Sequence, residues 1–243
     1  MKRTVLIATV AALSLSLVAF AQPAREAVDR DAPFNTFSIV AYDAAKQEWG
    51  VGTASKVLAV GAGVPWAQAN CGAIATQSAA NTTYGPRGLE MLGKGTSAAD
   101  VVKKLTDEDQ GRDIRQVGIV DREGNVHAFT GKGCSSWCGE KSGKNYVCLG
   151  NLLTGKEVVE AMADAFEKTE GRLAWRIMAA MEAGEKVGGD KRGKQSAALL
   201  IVRDKGGYRG FDDRAVDLRV DDHKEPIAEL SRILALRFPR KAK

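Results

Sequence analysis

Several short segments of the chain alternate apolar and polar residues. In TFSIVAYD, which begins at Thr36, apolar Phe37 and Ile39 alternate with polar Thr36 and Ser38. This period of two is expected of a half-buried β-strand. EWGVGTAS follows after a short polar turn at residues 44–47, so the two segments predict an antiparallel hairpin. CGAIATQS, which is rich in small residues, predicts a further strand.

The pattern then changes between helical and strand spacing. GPRGLEMLGKG and SAADVVKKLTDED predict two helices, the second with Ser97 as its N-cap. RQVGIVDREGNVHAFTG predicts a hairpin that turns at residues 121–125. YVCLGN predicts a strand, and TGKEVVEAMADAFEKT and RLAWRIMAAMEAGEK predict two more helices. SAALLIV and VDLRVDD predict strands, and a last helix is expected from Pro226 to about Phe238.

The order of these elements predicts the fold class. Strands, two helices, strands, two helices and strands lack the regular β-α-β alternation of a parallel sheet. We therefore predict an α+β fold, a four-layer αββα sandwich of two antiparallel sheets flanked by helix pairs. The first strand would be central, so the polar side chains of Thr36 and Ser38 would need partners in the interior.

The N-terminal segment resembles an export signal. Lys2 and Arg3 form a basic head, residues 5–21 are apolar apart from one threonine and two serines, and AFA ends the segment at Ala21. We expect a signal peptide at 1–21, a spacer or propeptide at 22–35 and a single domain at 36–243. This predicts a periplasmic or secreted protein. No later segment is apolar enough for stable membrane insertion.

Charge and length narrow the expected partners. The 243 residues carry 35 basic and 30 acidic side chains, for a formal charge of +5. Apart from the tail RFPRKAK the positive charge is spread along the chain, so we expect no nucleic-acid partner. A homo-oligomer is left open. The length suits one large domain with a proper core.

The four cysteines of an exported chain first suggest disulfides. Cys71, Cys134, Cys138 and Cys148 allow three pairings, and the sequence alone does not choose among them. Cys138 and Cys148 flank a turn-like segment and are the favoured pair. CSSWC also suggests a zinc site or a cysteine nucleophile. Neither of the two histidines lies at a sequence spacing from these cysteines that would favour either one. We therefore predict no metal and no cofactor.

Many of these segments together resemble a bacterial family known as domain of unknown function 1028. The resemblance runs from Thr36 to about Leu236 and is carried by TFSIVAYD, GVGTASKVLAVGAGVPWA, AIATQSAANTTYGPRGLEML, RQVGIVD, GNLLTG, GGDKRGKQSAALLIV and VDLRVDDH. That family is placed among the N-terminal-nucleophile (Ntn) hydrolases, whose αββα sandwich has the layer order predicted above. The resemblance implies a chemistry without a substrate. This chain departs from the family's usual pattern at Cys138 and Cys148, which favours a disulfide particular to its lineage.

The resemblance implies that Thr36 is the nucleophile. In Ntn hydrolases the first residue of the mature chain attacks, and its own α-amino group, with a pKa near ~7.7–8, acts as the base. No catalytic histidine is then required. Because Asn35 precedes Thr36, the resemblance requires a cut between these two residues. From the residues alone, Thr36 is equally an ordinary β-branched residue at the head of a strand.

Other positions receive roles by the same resemblance. Lys56, and more weakly Ser55, would lie beside the nucleophile, although Lys56 also fits a solvated lysine at a strand end. In ATQSAANTTYG, backbone N–H groups or the amide of Asn81 would line an oxyanion hole. A turn or cap residue is the alternative for Asn81. Asn151 would orient the α-amine.

GGDKRGKQSAALLIV carries the last pair of candidates. Asp190 and Ser196 at the mouth of a sheet would orient the amine of Thr36. The alternative for Asp190 is a loop residue that is ion-paired with Arg192 or Lys191. The sequence thus predicts an exported Ntn amidohydrolase that cleaves an amide bond of a small or peptide-like substrate. A periplasmic binding or scaffold protein that keeps the fold without the chemistry is the second hypothesis.

Overall fold

The computed structural model describes residues 33–240. The predicted signal peptide and residues 22–32 of the predicted spacer lie outside this part of the chain. Ten strands are present in it: β1 Thr36–Asp43, β2 Glu48–Ser55, β3 Pro65–Gln68, β4 Gly72–Ser78, β5 Arg115–Asp121, β6 Val126–Thr130, β7 Gly139–Gly143, β8 Tyr146–Gly150, β9 Ser196–Val202 and β10 Arg214–Val220. The five α-helices are α1 Tyr84–Gly93, α2 Ala98–Asp107, α3 Glu157–Lys168, α4 Leu173–Lys186 and α5 Pro226–Arg237.

The strands form two sheets. One has six strands in the order β10-β9-β2-β1-β8-β7, and the other has four in the order β3-β4-β5-β6. Every pair of neighbouring strands is antiparallel. β1 therefore lies inside the larger sheet, between β2 and β8. The predicted α+β class with two antiparallel sheets is confirmed, and β1 is central as expected.

The alternation along β1 divides its side chains between two hydrophobic clusters. Ile39 belongs to a cluster with the apolar faces of α3, α4 and α5. Val40, the next residue, belongs to a cluster that contains residues of both sheets, among them Ala75 of β4 and Val120 of β5. A third cluster joins α1 and α2 to the smaller sheet. Both faces of β1 are thus buried, and the two sheets share an apolar layer.

Local sequence signals place the helices where they were expected. Ser97 precedes α2, and its hydroxyl accepts a hydrogen bond from the backbone N–H of Asp100, as an N-cap does. α4 approaches β2 closely at Gly52. A Cβ at this position would lie 2.4 Å from Ile177 and 2.6 Å from Met181. Glycine at this position lets α4 pack directly on the strand that pairs with β1.

The disulfide predicted between Cys138 and Cys148 is wrong. All four cysteines, which lie within residues 33–240, are free thiols in the structure. Cys148 on β8 faces Lys141 on β7. Cys138 is three residues further along, roughly 10 Å of strand, whereas the Cα atoms of a disulfide lie within about 7 Å of each other. The turn that was read from the sequence is a true β-hairpin, and its register keeps the two thiols apart.

Within residues 33–240, no helix combines the length and the apolar character that crossing a membrane would require.

Candidate active site

One end of the layer between the two sheets is polar, although the rest of that layer is apolar. On β1, Thr36 and Ser38 share a face with Val40, and on β2 Thr53 and Ser55 share a face with Val51. Each strand thus changes from apolar to polar toward the same end. The buried polar side chains of this end are Thr36, Ser38, Thr53, Ser55, Gln77, Gln116, Asn151 and Ser196.

Thr36 lies at the centre of this polar end. Its backbone carbonyl accepts hydrogen bonds from the backbone N–H of Asn151 at 3.1 Å and from Nε2 of Gln77 at 3.3 Å. Its side chain is fully buried, yet Oγ1 has no hydrogen-bond partner within residues 33–240. Buried hydroxyl groups are nearly always paired, so an unpaired one calls for a reason. Here the backbone of the residue is fixed by hydrogen bonds, while no bond in the described part of the chain fixes its hydroxyl.

The peptide bond that precedes Thr36 is held by two donors. The carbonyl oxygen of Asn35 accepts a hydrogen bond from Oγ of Ser55 at 2.5 Å and another from Nη2 of Arg192 at 2.7 Å. Asn35 is only 7% exposed. Two donors on one carbonyl oxygen, one of them cationic, polarise the carbonyl group and favour attack at its carbon. We call Ser55 and Arg192 the carbonyl clamp.

Asp190 holds the cationic member of the clamp in place. Its carboxylate accepts from Nε of Arg192 at 3.1 Å and from Nη2 at 2.7 Å, a two-point ion pair. The backbone N–H groups of Arg192 and Lys56 donate to the same carboxylate at 2.9 and 3.2 Å. The alternative reading of Asp190, an ion pair with Arg192, is therefore what the structure shows. Through Nη2 of Arg192, this ion pair also contacts the carbonyl oxygen of Asn35.

A chain of side-chain amides links the two sheets beneath Thr36. Oε1 of Gln116 accepts from Nε2 of Gln77 at 2.8 Å and from Nδ2 of Asn151 at 2.9 Å, and Nε2 of Gln116 donates to the carbonyl of Gly150 at 2.9 Å. These bonds determine which way each amide faces. They leave Oδ1 of Asn151 buried and without a partner within the described part of the chain. The residue whose backbone N–H binds the carbonyl of Thr36 therefore also carries an acceptor that these bonds do not use.

Two predicted residues lie nearby without reaching Thr36 through their side chains. Lys56 is exposed, and its ammonium group donates to the carbonyl of Lys194 at 3.2 Å. Ser196 is buried, and its hydroxyl donates to the carbonyl of Val57 at 2.6 Å and accepts from the N–H of Val60 at 3.0 Å. Ser196 therefore fixes the segment that follows β2.

Asn81 belongs to a separate cluster at the start of α1. Its amide donates to Asp109 at 3.0 Å and accepts from the N–H of Thr83 at 3.1 Å. Burial acts to raise the pKa of Asp109, but hydrogen bonds from Asn81, Arg115, Gly111 and Tyr84 outweigh it and lower that pKa well below its usual range. The geometry is that of a turn residue before α1, whose N-cap is Thr83. The structure does not bring Asn81 into the set around Thr36.

Residues 33–35 close the polar end. The carbonyl of Phe34 accepts from the N–H of Ser78 at 2.9 Å, in an isolated antiparallel bridge to the end of β4. The carbonyl of Asn35 is bound by Ser55, at the end of β2. The segment therefore runs from the smaller sheet to the larger one directly before Thr36.

The cysteines offer no competing centre within residues 33–240. There, no group of three or more histidine, cysteine, aspartate or glutamate side chains is arranged to hold a metal ion. Cys134 is buried, and burial raises the pKa of its thiol despite a hydrogen bond from Ser78. A neutral thiol is a weak nucleophile.

Sequence reasoning missed several members of this site, among them Arg192 and Gln116. Arg192 was considered only as an ion-pair partner of Asp190, and Gln116 was not considered at all. Gln116 had a readable signal, since it is a polar residue at a strand start and shares a face with Val120 of the interior. The bond from Arg192 to Asn35 spans 157 residues and has no local signal.

The buried polar end between the two antiparallel sheets thus combines a threonine hydroxyl that has no partner within residues 33–240 with a clamped peptide bond directly before it. The model of the family of unknown function DUF1028 matches residues 36–230. The chain therefore belongs to this family, as its motifs indicated. It is also similar to the crystal structure of protein SPO2555 from Silicibacter pomeroyi, which is assigned to the same family model. The two are 31% identical with a TM-score of 0.77 over 85% of this chain and 90% of that one. No curated protein matches the sequence.

Proposed function

We propose that the protein is an exported Ntn amidohydrolase in which Thr36 is the nucleophile. One observation carries this proposal. The hydroxyl of Thr36, which has no partner among residues 33–240, is adjacent in the chain to a carbonyl whose oxygen is held by Ser55 and Arg192. A binding or scaffold protein has no need for a free, buried hydroxyl beside a polarised peptide bond.

The packing supports the Ntn assignment. Apolar clusters join α3, α4 and α5 to the larger sheet, the two sheets to each other, and the smaller sheet to α1 and α2. We infer from these clusters the helix-sheet-sheet-helix layering of the Ntn hydrolases. The candidate nucleophile heads a central strand of the larger sheet and faces the layer between the sheets, the position that the family resemblance implies.

The first reaction is a cut in the chain itself. Oγ1 of Thr36 attacks the carbonyl carbon of Asn35, and the clamp stabilises the negative charge that develops on the oxygen. The Asn35–Thr36 C–N bond breaks, and the hydroxyl proton passes to the nitrogen of Thr36, which becomes a free amine. Water then hydrolyses the resulting ester, which leaves a carboxylate on Asn35 and restores the hydroxyl of Thr36.

The mature site then uses the new amine as its base. The amine takes the proton of the Thr36 hydroxyl as Oγ1 attacks the amide carbonyl of a substrate, and donates it to the leaving amine. Water hydrolyses the acyl-enzyme to an acid and restores the hydroxyl. Oδ1 of Asn151, an acceptor without a partner in the described residues, is suited to accept a hydrogen bond from the amine and orient it. The substrate class is an amide of a small or peptide-like molecule.

The N-terminus of the exported protein tests the proposal. Protein purified from culture is analysed by N-terminal sequencing and intact mass, and we expect the chain to begin at Thr36. Thr36→Ala removes the hydroxyl and should leave the Asn35–Thr36 bond intact. Thr36→Ser keeps a hydroxyl and should still be cut. A wild-type chain that stably retains Asn35 would overturn the proposal and favour the binding or scaffold protein.

A further inference from the structure

We propose that the groove that holds residues 33–35 binds the acyl side of the substrate in the mature enzyme, and that it selects peptidyl amides with an aromatic residue second from the scissile bond. This inference rests on the proposed function. It adds a specificity pocket and a class of acyl donor to a reaction that the family resemblance leaves without a substrate.

The carbonyl that is attacked determines where an acyl donor lies. In the self-cut, Oγ1 of Thr36 reaches a carbonyl whose oxygen is held by Ser55 and Arg192. A substrate carbonyl attacked by the same oxygen, with the same two donors, must occupy nearly the same place. The residues that precede it in a peptidyl substrate then follow the path of Phe34 and Pro33.

The backbone of that path is already shaped for a peptide. The N–H of Ser78 donates to the carbonyl of Phe34 at 2.9 Å, in an antiparallel bridge at the end of β4. The N–H of Asn35 donates to the carbonyl of Pro33 at 2.8 Å. When the leaving segment departs, the N–H of Ser78 becomes a free donor. A peptide that adds to a strand end in this way is bound through its main chain.

A pocket for the second residue is built around the ring of Phe34. The ring is partly buried and packs against the apolar cluster between the sheets, to which Val60 and Val64 belong. A Cβ at Gly63 would lie only 2.9 Å from Cζ of this ring. The space therefore exists because residue 63 has no side chain. Its backbone, with φ −123°, is open to any residue, so a conformational need does not account for glycine here.

The first position is buried, with Asn35 7% exposed, but its side chain makes no hydrogen bond in the described part of the chain. Within residues 33–240, the hydrogen bonds of Asn35 use only its backbone atoms. We therefore expect the enzyme to distinguish strongly between side chains at the second position from the scissile bond and weakly at the first.

Peptidyl epoxyketones test the groove, because this electrophile forms a stable ring with both a hydroxyl and a free α-amine and so reports the mature Thr36. Three probes carry acetyl-Pro-Phe-Asn, acetyl-Pro-Ala-Asn and acetyl-Pro-Phe-Ala, and a fourth has no peptide. The rate of labelling at Thr36 is followed by mass spectrometry on the processed wild-type protein. We expect the Phe-Asn probe to react at least about tenfold faster than the Ala-Asn probe, as even partial burial of an aromatic ring implies. The Phe-Ala probe should stay within about threefold of Phe-Asn, since the first position lacks side-chain hydrogen bonds.

Gly63→Ala is the matching variant. Its methyl group would enter the space of the ring, so the ratio of the Phe-Asn rate to the Ala-Asn rate should fall to about threefold or less. Gly93→Ala is the control, because a Cβ at this position on α1 meets Sγ of Cys71 at 3.3 Å, away from the groove. It should leave all four rates unchanged.

The outcomes separate the two proposals. A chain that begins at Thr36 and is labelled by all probes at similar rates, or only by the probe without a peptide, would overturn the groove and leave the enzyme. A preference that Gly63→Ala does not reduce would overturn the pocket. A chain that keeps Asn35, or a processed chain that no probe labels at Thr36, would overturn the proposed function itself.

Discussion

Nη2 of Arg192 lies 2.7 Å from the carbonyl oxygen of Asn35, the residue that precedes the candidate nucleophile. The same nitrogen is 2.7 Å from Oδ2 of Asp190, whose side chain is 1% exposed. A buried carboxylate thus fixes a guanidinium on the one peptide bond that must be cut to expose Thr36 as an N-terminus. This relationship connects the loop before β9 to the head of β1.

Loss of the guanidinium should slow the self-cut. Arg192→Gln removes the cationic donor from the Asn35 carbonyl, and we expect the rate to fall by about 10²-fold, as for loss of an oxyanion donor. Arg192→Lys keeps the charge but lacks the planar guanidinium, so its rate of self-cutting should lie between those of the wild type and Arg192→Gln. The fraction of chains that begin at Thr36 is measured over time by intact mass. Arg203→Gln, which breaks an ion pair with Glu48, is the control. A normal rate in Arg192→Gln would remove Arg192 from the reaction.

Asp190 should act through Arg192. Asp190→Asn keeps the size of the side chain but leaves the guanidinium without its ion-pair partner, which typically destabilises a protein by about 3–5 kcal/mol. We expect a lower melting temperature and a self-cut at least about tenfold slower, as loss of one clamp donor implies. When Arg192→Gln is already present, the same change should slow the cut little further, since the two residues act as a unit. An unchanged cutting rate with a reduced melting temperature would assign Asp190 a structural role alone.

A substitution at Asn151 should distinguish the self-cut from the reaction of the mature site. In the proposed mechanism Oδ1 of Asn151, which has no partner in the described residues, orients an amine that exists only after the cut, so Asn151→Ala should still be cut. Labelling of Thr36 by an epoxyketone without a peptide should then fall at least about tenfold, because the base is no longer oriented. Gln77→Ala is the comparison. It removes a donor to the carbonyl of Thr36 but keeps the side-chain oxygen of Asn151. Equal labelling of Asn151→Ala and the wild type would contradict this role.

The cluster around Asp109 should make stability depend on pH. The hydrogen bonds that lower the pKa of Asp109 stabilise its charged form. Their contribution is therefore complete above the unfolded pKa near ~3.9 and is lost as pH falls through the lower folded-state value. We expect Asp109→Asn to lower the free energy of unfolding by about 1–3 kcal/mol at neutral pH, and by less as pH falls below about 4.

Urea unfolding at pH 7, 5 and 3 checks this expectation. Asn81→Ala should lower stability at pH 7 without slowing the self-cut, because its amide contacts Asp109 and Thr83. Asp164→Asn, on the exposed surface of α3, is the control. A slower cut in Asn81→Ala with unchanged stability would return Asn81 to the reaction.

Cys148 should behave as a buried thiol. It is fully buried on β8, and burial raises its pKa well above the usual range. We expect no alkylation of Cys148 in the folded protein at pH 8 and complete alkylation in urea without a reducing agent. Non-reducing peptide maps that link Cys138 to Cys148 would contradict the hairpin register.

Local patterns in the sequence determine much of this molecule. Alternation placed β1 and β2 at the observed residues, helical spacing and the Ser97 cap placed α2, and Thr36 fell at the head of a central strand. These features depend on neighbouring residues, whose periodicity decides which side chains share a face. The family motifs added the expectation that Thr36 reacts.

The tertiary structure decided which polar residues meet. Asn81 and Asn151 both follow a strand and looked alike, but the bond from Asn151 to Thr36 arises from the pairing of β1 with β8. The carbonyl clamp joins Ser55 and Arg192, which are 137 residues apart, through the register of β2 and β9. Register and packing depend on contacts between segments that are distant in the chain. They are set by the collective burial of apolar faces, which no short stretch of sequence contains.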